Sequence, residues 1–341
     1  MIDLTKKFCT RPFTNMELNR SGDVYFCCQK WLSIPLGNIF RHSPEEIWNS
    51  PRAKEIRRSV IDGDYKYCSR EFCPRLANDV GLLDRDSVNV DEYLEKKPES
   101  IKLSYDISCN LVCPSCRNTK NIYNDDASQE KFKVYYESGV RPWMPTLKTL
   151  HISGSGEPFA SKHFINVMKE VVNSPEYAHI NFDLHSNAQL LNRRTWNKIG
   201  LQDRVRNVSI SIDAATEETY SYTRQGGSWK ELIKNLFFVK HKKKRGQVGM
   251  FTILFVVQQA NYKEIPKFIE LGHRVGADGI FFDMIVDFRT GTDAEFSHKY
   301  IGNPAHPEYQ QYLDVLRSID LSDPKVITTG ISKDLKAAGK L

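Results

Sequence analysis

Cys109-Asn110-Leu111-Val112-Cys113-Pro114-Ser115-Cys116 sets three cysteines at C-x3-C-x2-C spacing, shortly after the alternating run Ile101-Lys102-Leu103-Ser104-Tyr105. Apolar residues at every second position mark a half-buried strand, so the cysteines fall on the loop that follows it. Three thiolates on one short loop can hold three irons of a cubane cluster and leave the fourth iron open, whereas a closed structural site takes four ligands. An open iron is a place to bind something. A zinc site and unrelated core cysteines are the other readings of these residues alone.

Outward from that loop, the rhythm of the chain changes near residue 90. Downstream, strand patterns at 101–105, 147–152, 180–184, 207–212, 249–257 and 279–284 alternate with helical patterns, most clearly at 162–172, 229–242 and 262–275. Six strands in such alternation predict an α/β fold with a parallel sheet and right-handed crossovers, flat or curled into a barrel. Upstream, residues 1–90 hold five of the eight cysteines, Cys9, Cys27, Cys28, Cys68 and Cys73, among aromatic residues and turn signals. One helical pattern runs over 43–58, with Ser43 and Glu46 as a capping box and Ile47, Trp48 and Ile56 as its apolar positions. The organisation expected is a small domain at 1–90, a polar linker at 91–100 and the main domain at 101–290. A capping segment at 291–341, helical over 306–319, completes it.

A chain of 341 residues suits one large domain, or a medium domain with a small one attached. No stretch approaches the ~18 apolar residues of a membrane span, and the N-terminus lacks an apolar signal core, so a cytoplasmic location is expected. Eight cysteines in such a compartment are metal ligands or redox groups rather than disulfides. The net charge of +6 includes His241-Lys242-Lys243-Lys244-Arg245. That run reads as a solvated helix end complementing the helix dipole, not as a nucleic-acid patch. The positive balance is compatible with an anionic substrate or an acidic electron donor.

In parallel α/β folds the loops at the carboxyl ends of the strands build the site. The second strand runs into Ser153-Gly154-Ser155-Gly156-Glu157-Pro158, where glycines permit close backbone approach and Glu157 can take a ligand's ammonium group. The third ends in His185-Ser186-Asn187; Asn187 is the ligand candidate, and His185 reads equally as a satisfied rim histidine. Alternation turns Ser209, Ser211 and Asp213 inward and Val208, Ile210 and Ile212 toward helices. Arg224, in Arg224-Gln225-Gly226-Gly227, has the planar donors that suit a carboxylate. The fifth strand ends at Gln258, Gln259 and Asn261. Past the sixth, Asp283, Asp287 and Arg289 are substrate-side candidates or an ordinary surface salt-bridge cluster.

Together these motifs resemble the radical S-adenosylmethionine enzymes, over most of residues 9–290. The resemblance implies a partial (β/α)6 TIM-like barrel and a 4Fe–4S cluster on Cys109, Cys113 and Cys116. The amino and carboxylate groups of S-adenosylmethionine would chelate the open iron, and an electron from the cluster would break the cofactor's carbon–sulfur bond to yield a 5′-deoxyadenosyl radical. Gly154, Gly156 and Glu157 resemble the family's GGE motif, with Ser155 in place of its middle glycine. Ser211 and Arg224 resemble the SxD…R pattern that holds the cofactor's carboxylate and ribose, and Asn187 joins them as a cofactor residue. A flavodoxin- or ferredoxin-like donor is implied as partner.

Cys9, Gly22 and Cys27 stand at C-x12-G-x4-C spacing, with a hairpin turn at Ser21-Gly22-Asp23 and Cys68 and Cys73 further on. With Leu36-Gly37-Asn38-Ile39 and Glu46-Ile47-Trp48-Asn49-Ser50, this looks like half of the auxiliary unit called SPASM or twitch. It implies a second, fully ligated 4Fe–4S cluster on Cys9, Cys27, Cys68 and Cys73, for electron transfer or structure; a zinc knuckle is the alternative. The order departs from the family, which usually places this unit after the barrel. Cys28 points away from Cys27 along a strand and reads as a packing residue, with a hydrogen-atom donor as the other reading. The function implied is hydrogen abstraction from a small polar substrate, sugar- or aminocyclitol-like, giving dehydrogenation or epimerisation. A peptide maturase is the alternative, and a non-catalytic iron–sulfur or zinc scaffold is the alternative of another class.

Overall fold

β1 (Lys7–Phe8) and β5 (Leu83–Asp84) pair antiparallel beside the sheet, in a computed structural model that describes residues 2–79, 81–152 and 155–341. The chain forms two units that interleave in sequence. One comprises residues 1–107, 123–156 and 161–183, the other 108–122, 157–160 and 184–341. The compositional change at residue 90 therefore falls inside the first unit.

In the first unit, β2 (Asn15–Asn19) and β3 (Asp23–Tyr25) form the expected hairpin, turning at Gly22 with φ of +84°. β4 (Gly37–Asn38) pairs with β3, and β6 (Ser100–Ser104) pairs parallel with both β2 and β7 (Thr149–Ile152). β7 is followed in the sheet by β8 (Asn181–Ser186), whose first half belongs here. Met16, Leu18, Ile101, Leu103, Leu150 and Ile152 are buried along one face, as their alternation requires. The cysteine-rich segment thus contributes strands to the same sheet as the repeating strand–helix region, which sequence spacing did not reveal. The single helix expected over 43–58 is two, Pro44–Trp48 and Pro51–Asp62. Ser50, preceding a proline, is driven out of helical geometry and caps the second helix by accepting from the Ala53 N–H at 3.1 Å.

In the second unit, the end of β8, then β9 (Val205–Ser211), β10 (Val248–Val257), β11 (Gly279–Met284) and β12 (Val326–Gly330) follow in order, the last four pairing parallel. Val208, Ile210 and Ile212 are fully buried, and Ser209 and Ser211 take the other face, as expected. The fold is α/β with a large, mostly parallel sheet. β12 lies in the tail read as a cap. Among the described residues no helix is long and apolar enough to cross a membrane.

Arg57 is a buried cation in the first unit. Its guanidinium lies 4.3 Å from the Trp48 ring centroid and 4.8 Å from that of Phe26, and it donates to the Pro12 carbonyl at 2.9 Å and the Trp48 carbonyl at 2.8 Å. Burial lowers its pKa to about 10. Arg57→Ala is expected to cost about 3 kcal/mol, from two orphaned carbonyls and a lost cation–π contact, read as a fall in the urea midpoint. Arg57→Lys should recover only part, because it lacks the planar fork; an unchanged midpoint for Arg57→Ala contradicts this account.

Candidate functional site

The cysteine loop is tied down at its backbone. The Cys109 N–H donates to Asn121 O at 2.7 Å and the Val112 N–H to Gln225 O at 2.9 Å. Thr290 Oγ1 and Lys299 Nζ donate to Pro114 O at 3.0 and 3.2 Å. The Cys116 and Arg117 N–H groups close on Cys113 O at 2.9 and 3.0 Å. The tail thus helps to fix this loop, through residues lying beyond the last predicted strand. Each sulfur also has a nitrogen donor beside it: Asn187 Nδ2 lies 3.8 Å from Cys109 Sγ, Arg224 Nη1 3.9 Å from Cys113 Sγ and Arg117 Nη2 3.7 Å from Cys116 Sγ. Burial raises the Cys109 and Cys113 thiols, and Arg224 opposes it at Cys113. Nitrogen donors beside three sulfurs, two of them cationic, suit thiolates bound to metal.

Glu157 is 1% exposed and turned into the fold. Oε1 accepts from Ser186 Oγ at 2.8 Å and the Phe159 N–H at 3.3 Å, and Oε2 accepts from the Asn187 N–H at 2.6 Å. A carboxylate has about four acceptor positions, so these donors leave room for one more, such as an ammonium group. Burial is the largest influence and raises its pKa to about 7 against those hydrogen bonds. Asp213 sits at φ of +61°, past the strand's alternation, and is 2% exposed. Its Oδ2 lies 2.7 Å from Arg224 Nη2, and its Oδ1 accepts the Val256 N–H at 2.8 Å. Burial pushes Asp213 up, and the Arg224 charge opposes this.

Arg224, read as a carboxylate binder, is therefore already committed to Asp213 through one nitrogen. Its Nε is buried and has no hydrogen-bond partner among the described residues, as does Gln258 Nε2. Two orphaned buried donors in one unit fit a cofactor rich in acceptors. Ser211 Oγ lies 2.8 Å from His185 Nε2, which makes His185 a satisfied neighbour of a candidate ligand. Asp287 and Arg289 form an exposed ion cluster with Asp293, while Asp283 accepts the Met284 N–H at 2.9 Å. Gly156 is partly exposed, and Gly154 lies outside the described residues.

In the first unit, Cys9, Cys27, Cys68 and Cys73 line one cavity, and Cys28 is not part of that lining. Burial pushes Cys9 and Cys27 up and Cys68 to about 12. Among the described residues no three His, Cys, Asp or Glu side chains converge on a single metal-ion position; a cubane differs from a single ion in spreading its four ligands over separate corners. The sequence reading also missed a row of polar residues on neighbouring strands. Tyr25 faces Glu17, Glu17 faces Lys102, and Lys102 faces His151 in register. Lys102 Nζ lies 3.2 Å from Glu17 Oε1, and His151 Nδ1 3.1 Å from Asp183 Oδ2. Polar residues at alternate positions of apolar strands were the available signal. Their common row depended on β2 pairing with β6, which has no local signature.

Residues 9–74 match the model of the SPASM family, an iron–sulfur cluster-binding domain. Among curated proteins the chain is similar to a GTP 3′,8-cyclase of Peptoclostridium acidaminophilum, 24% identical over 251 residues, or 71% of this chain and 72% of that protein. Among solved structures it is similar to Streptococcus suis SuiB, with 15% identity, a TM-score of 0.46 and coverage of 83% of this chain and 61% of that one. It is also similar to anSMEcpe with bound AdoMet, at 19% identity and a TM-score of 0.45, over 68% of this chain and 64% of that one. The chain spans less than two thirds of each of these two structures. Residues 9–74 carry a SPASM-type domain. The cofactor that this domain family binds is an iron–sulfur cluster.

Glu157 makes the site pH-sensitive. A carboxyl with a folded pKa near 7 and an ordinary value of 4.5 binds more protons folded than unfolded between those limits. Its contribution is most favourable below pH 4.5 and is lost as pH rises through about 7, a change of about 3 kcal/mol. Glu157→Gln is expected to remove this component from the stability–pH curve of the metal-free protein, measured by denaturant titration. A variant curve parallel to the wild type would refute the assignment.

Proposed function

We propose that this enzyme cleaves S-adenosylmethionine reductively and abstracts a hydrogen atom from a polar substrate, with Cys109, Cys113 and Cys116 holding the catalytic cluster. The bound cluster and cofactor would supply the electron and the 5′-deoxyadenosyl radical. The observation that carries the reading is the three-cysteine loop with a nitrogen donor beside each sulfur and Glu157 in the same unit. In it, Glu157 takes the cofactor's ammonium group on its remaining acceptor position. Arg224 Nε and Gln258 Nε2 donate to cofactor oxygens or nitrogens, and Ser211 and Asn187 orient the cofactor beside them. Gly154 and Gly156 keep the place the motif gives them, allowing close backbone approach.

The substrate in this reading is a small polar molecule of sugar or aminocyclitol type. Dehydrogenation needs a further electron and a proton removed from the substrate radical, whereas epimerisation needs a returned hydrogen atom. Asp283, Asp287 and Arg289 stay weaker substrate candidates. A peptide maturase is the second reading, favoured by Phe288, 62% exposed on the segment that adjoins Ser115. The net charge of +6 suits an acidic flavodoxin- or ferredoxin-like donor.

Anaerobic reconstitution should give about eight irons per chain, from two cubanes of four, and 5′-deoxyadenosine on adding S-adenosylmethionine and dithionite. About four irons with one zinc would remove the second cubane and leave the first. Cys113→Ala is expected to abolish 5′-deoxyadenosine while Cys73→Ala retains some. Equal residual cleavage in two folded variants contradicts the assignment of the triad.

A further inference from the structure

The cavity lined by Cys9, Cys27, Cys68 and Cys73 is also lined by Arg11 and Arg75. Both follow a cysteine at the same offset, in Cys9-Thr10-Arg11 and Cys73-Pro74-Arg75. Each lies in the first turn of a short helix, Arg11–Thr14 or Pro74–Asn78. A C-x-R step onto a helix thus brings a guanidinium back toward the cavity twice. The Arg11 guanidinium carbon lies 5.7 Å from the Trp31 ring centroid, which fixes its plane against another wall of the cavity. Arg75 donates from Nη1 to the Gly81 carbonyl, which anchors its far end. Arg11 is in electrostatic reach of Cys9 and Cys27, and Arg75 of Cys9.

Arg11 Nε is buried and has no hydrogen-bond partner among the described residues. A buried N–H without an acceptor is costly and uncommon, so its presence in a cavity lined by cysteines points to a missing acceptor. The sulfides of a cluster and the cysteine sulfurs that ligate it are acceptors of the right charge, in the cavity that Arg11 lines. Hydrogen bonds and positive charge at such sulfurs stabilise the reduced cluster more than the oxidised one, because the reduced cluster carries one more negative charge. A cluster kept only for structure has no need of this.

We propose that Arg11 and Arg75 raise the reduction potential of a cluster held by Cys9, Cys27, Cys68 and Cys73, Arg11 by hydrogen bond and charge and Arg75 chiefly by charge. This rests on the proposed second cubane and on the resemblance that gives it those four cysteines as ligands. Both arginines are positioning residues, acting on the cluster through its ligands.

The test uses full-length protein carrying Cys113→Ala, so that the second cluster alone is titrated, reconstituted anaerobically and followed by EPR against solution potential. If this parent binds no cluster, the cluster assignment fails, and the inference with it. If it binds about four irons, Arg11→Gln and Arg75→Gln are each expected to keep the iron and shift the midpoint to lower potential, with the double variant lowest. Unchanged midpoints in variants that hold their iron overturn the inference while sparing the cluster. Where Arg11→Gln fails to hold iron, Arg11→Lys carries the test. It keeps the charge and loses the Nε donor, so a lowered midpoint supports the hydrogen bond and a wild-type midpoint overturns it.

Discussion

The ion pair between Asp213 and Arg224 is the contact on which the cysteine loop's surroundings depend. With both groups buried, losing either one leaves the other as an uncompensated charge, at a cost of about 3–5 kcal/mol. The pair ties together elements distant in sequence. Asp213 accepts from Val256 at the end of β10, its carbonyl accepts from Asn261 Nδ2 at 3.0 Å, and Arg224 reaches Cys113 with Nη1. The next residue, Gln225, receives the Val112 N–H from the cysteine loop. Gly226, at φ of +86°, and Gly227, where a Cβ would stand 2.8 Å from the Tyr220 hydroxyl, then let the chain turn away beneath that loop. A glycine pair at this point is a steric requirement.

The two cysteine sets differ in ways that match different tasks. The triad sits on one loop, with Cys116 exposed and nitrogen donors gathered from three separate segments. Such a set leaves a coordination position for a ligand. The other four cysteines come from four places in residues 9–73 and line a cavity whose remaining walls include Tyr65, Leu76 and Trp31. A cluster with four protein ligands has no open coordination position for substrate, and its variable property is its potential.

Much of the fold was legible because burial imposes periodicity. All six predicted strands are present with ends displaced by no more than two residues, since each is an apolar run bounded by turn residues. The division of residues 43–58 into two helices is written in Ser50-Pro51 and was outweighed by the longer apolar pattern. β12 was missed because Val326-Ile327-Thr328-Thr329 is short and follows a tail read as a helical cap. The pairing of β2 with β6 was not readable, because contacts over some 85 residues leave no periodic trace; Glu17 and Lys102 face one another only through that register. At the site, residue types announced Glu157 and the triad. What was hidden is direction: Arg224 turned toward Asp213, and the surface grouping of Asp287 with Arg289 and Asp293.

The central claim is that the triad leaves one iron open and that S-adenosylmethionine binds there. ENDOR spectroscopy of the reduced, reconstituted protein with S-adenosylmethionine labelled with nitrogen-15 at the methionine amino group tests this at the atom concerned. A nitrogen-15 hyperfine coupling that depends on the label, and that disappears in a folded Cys113→Ala variant, is the result predicted. A reconstituted cluster that binds the cofactor yet shows no such coupling would contradict the account.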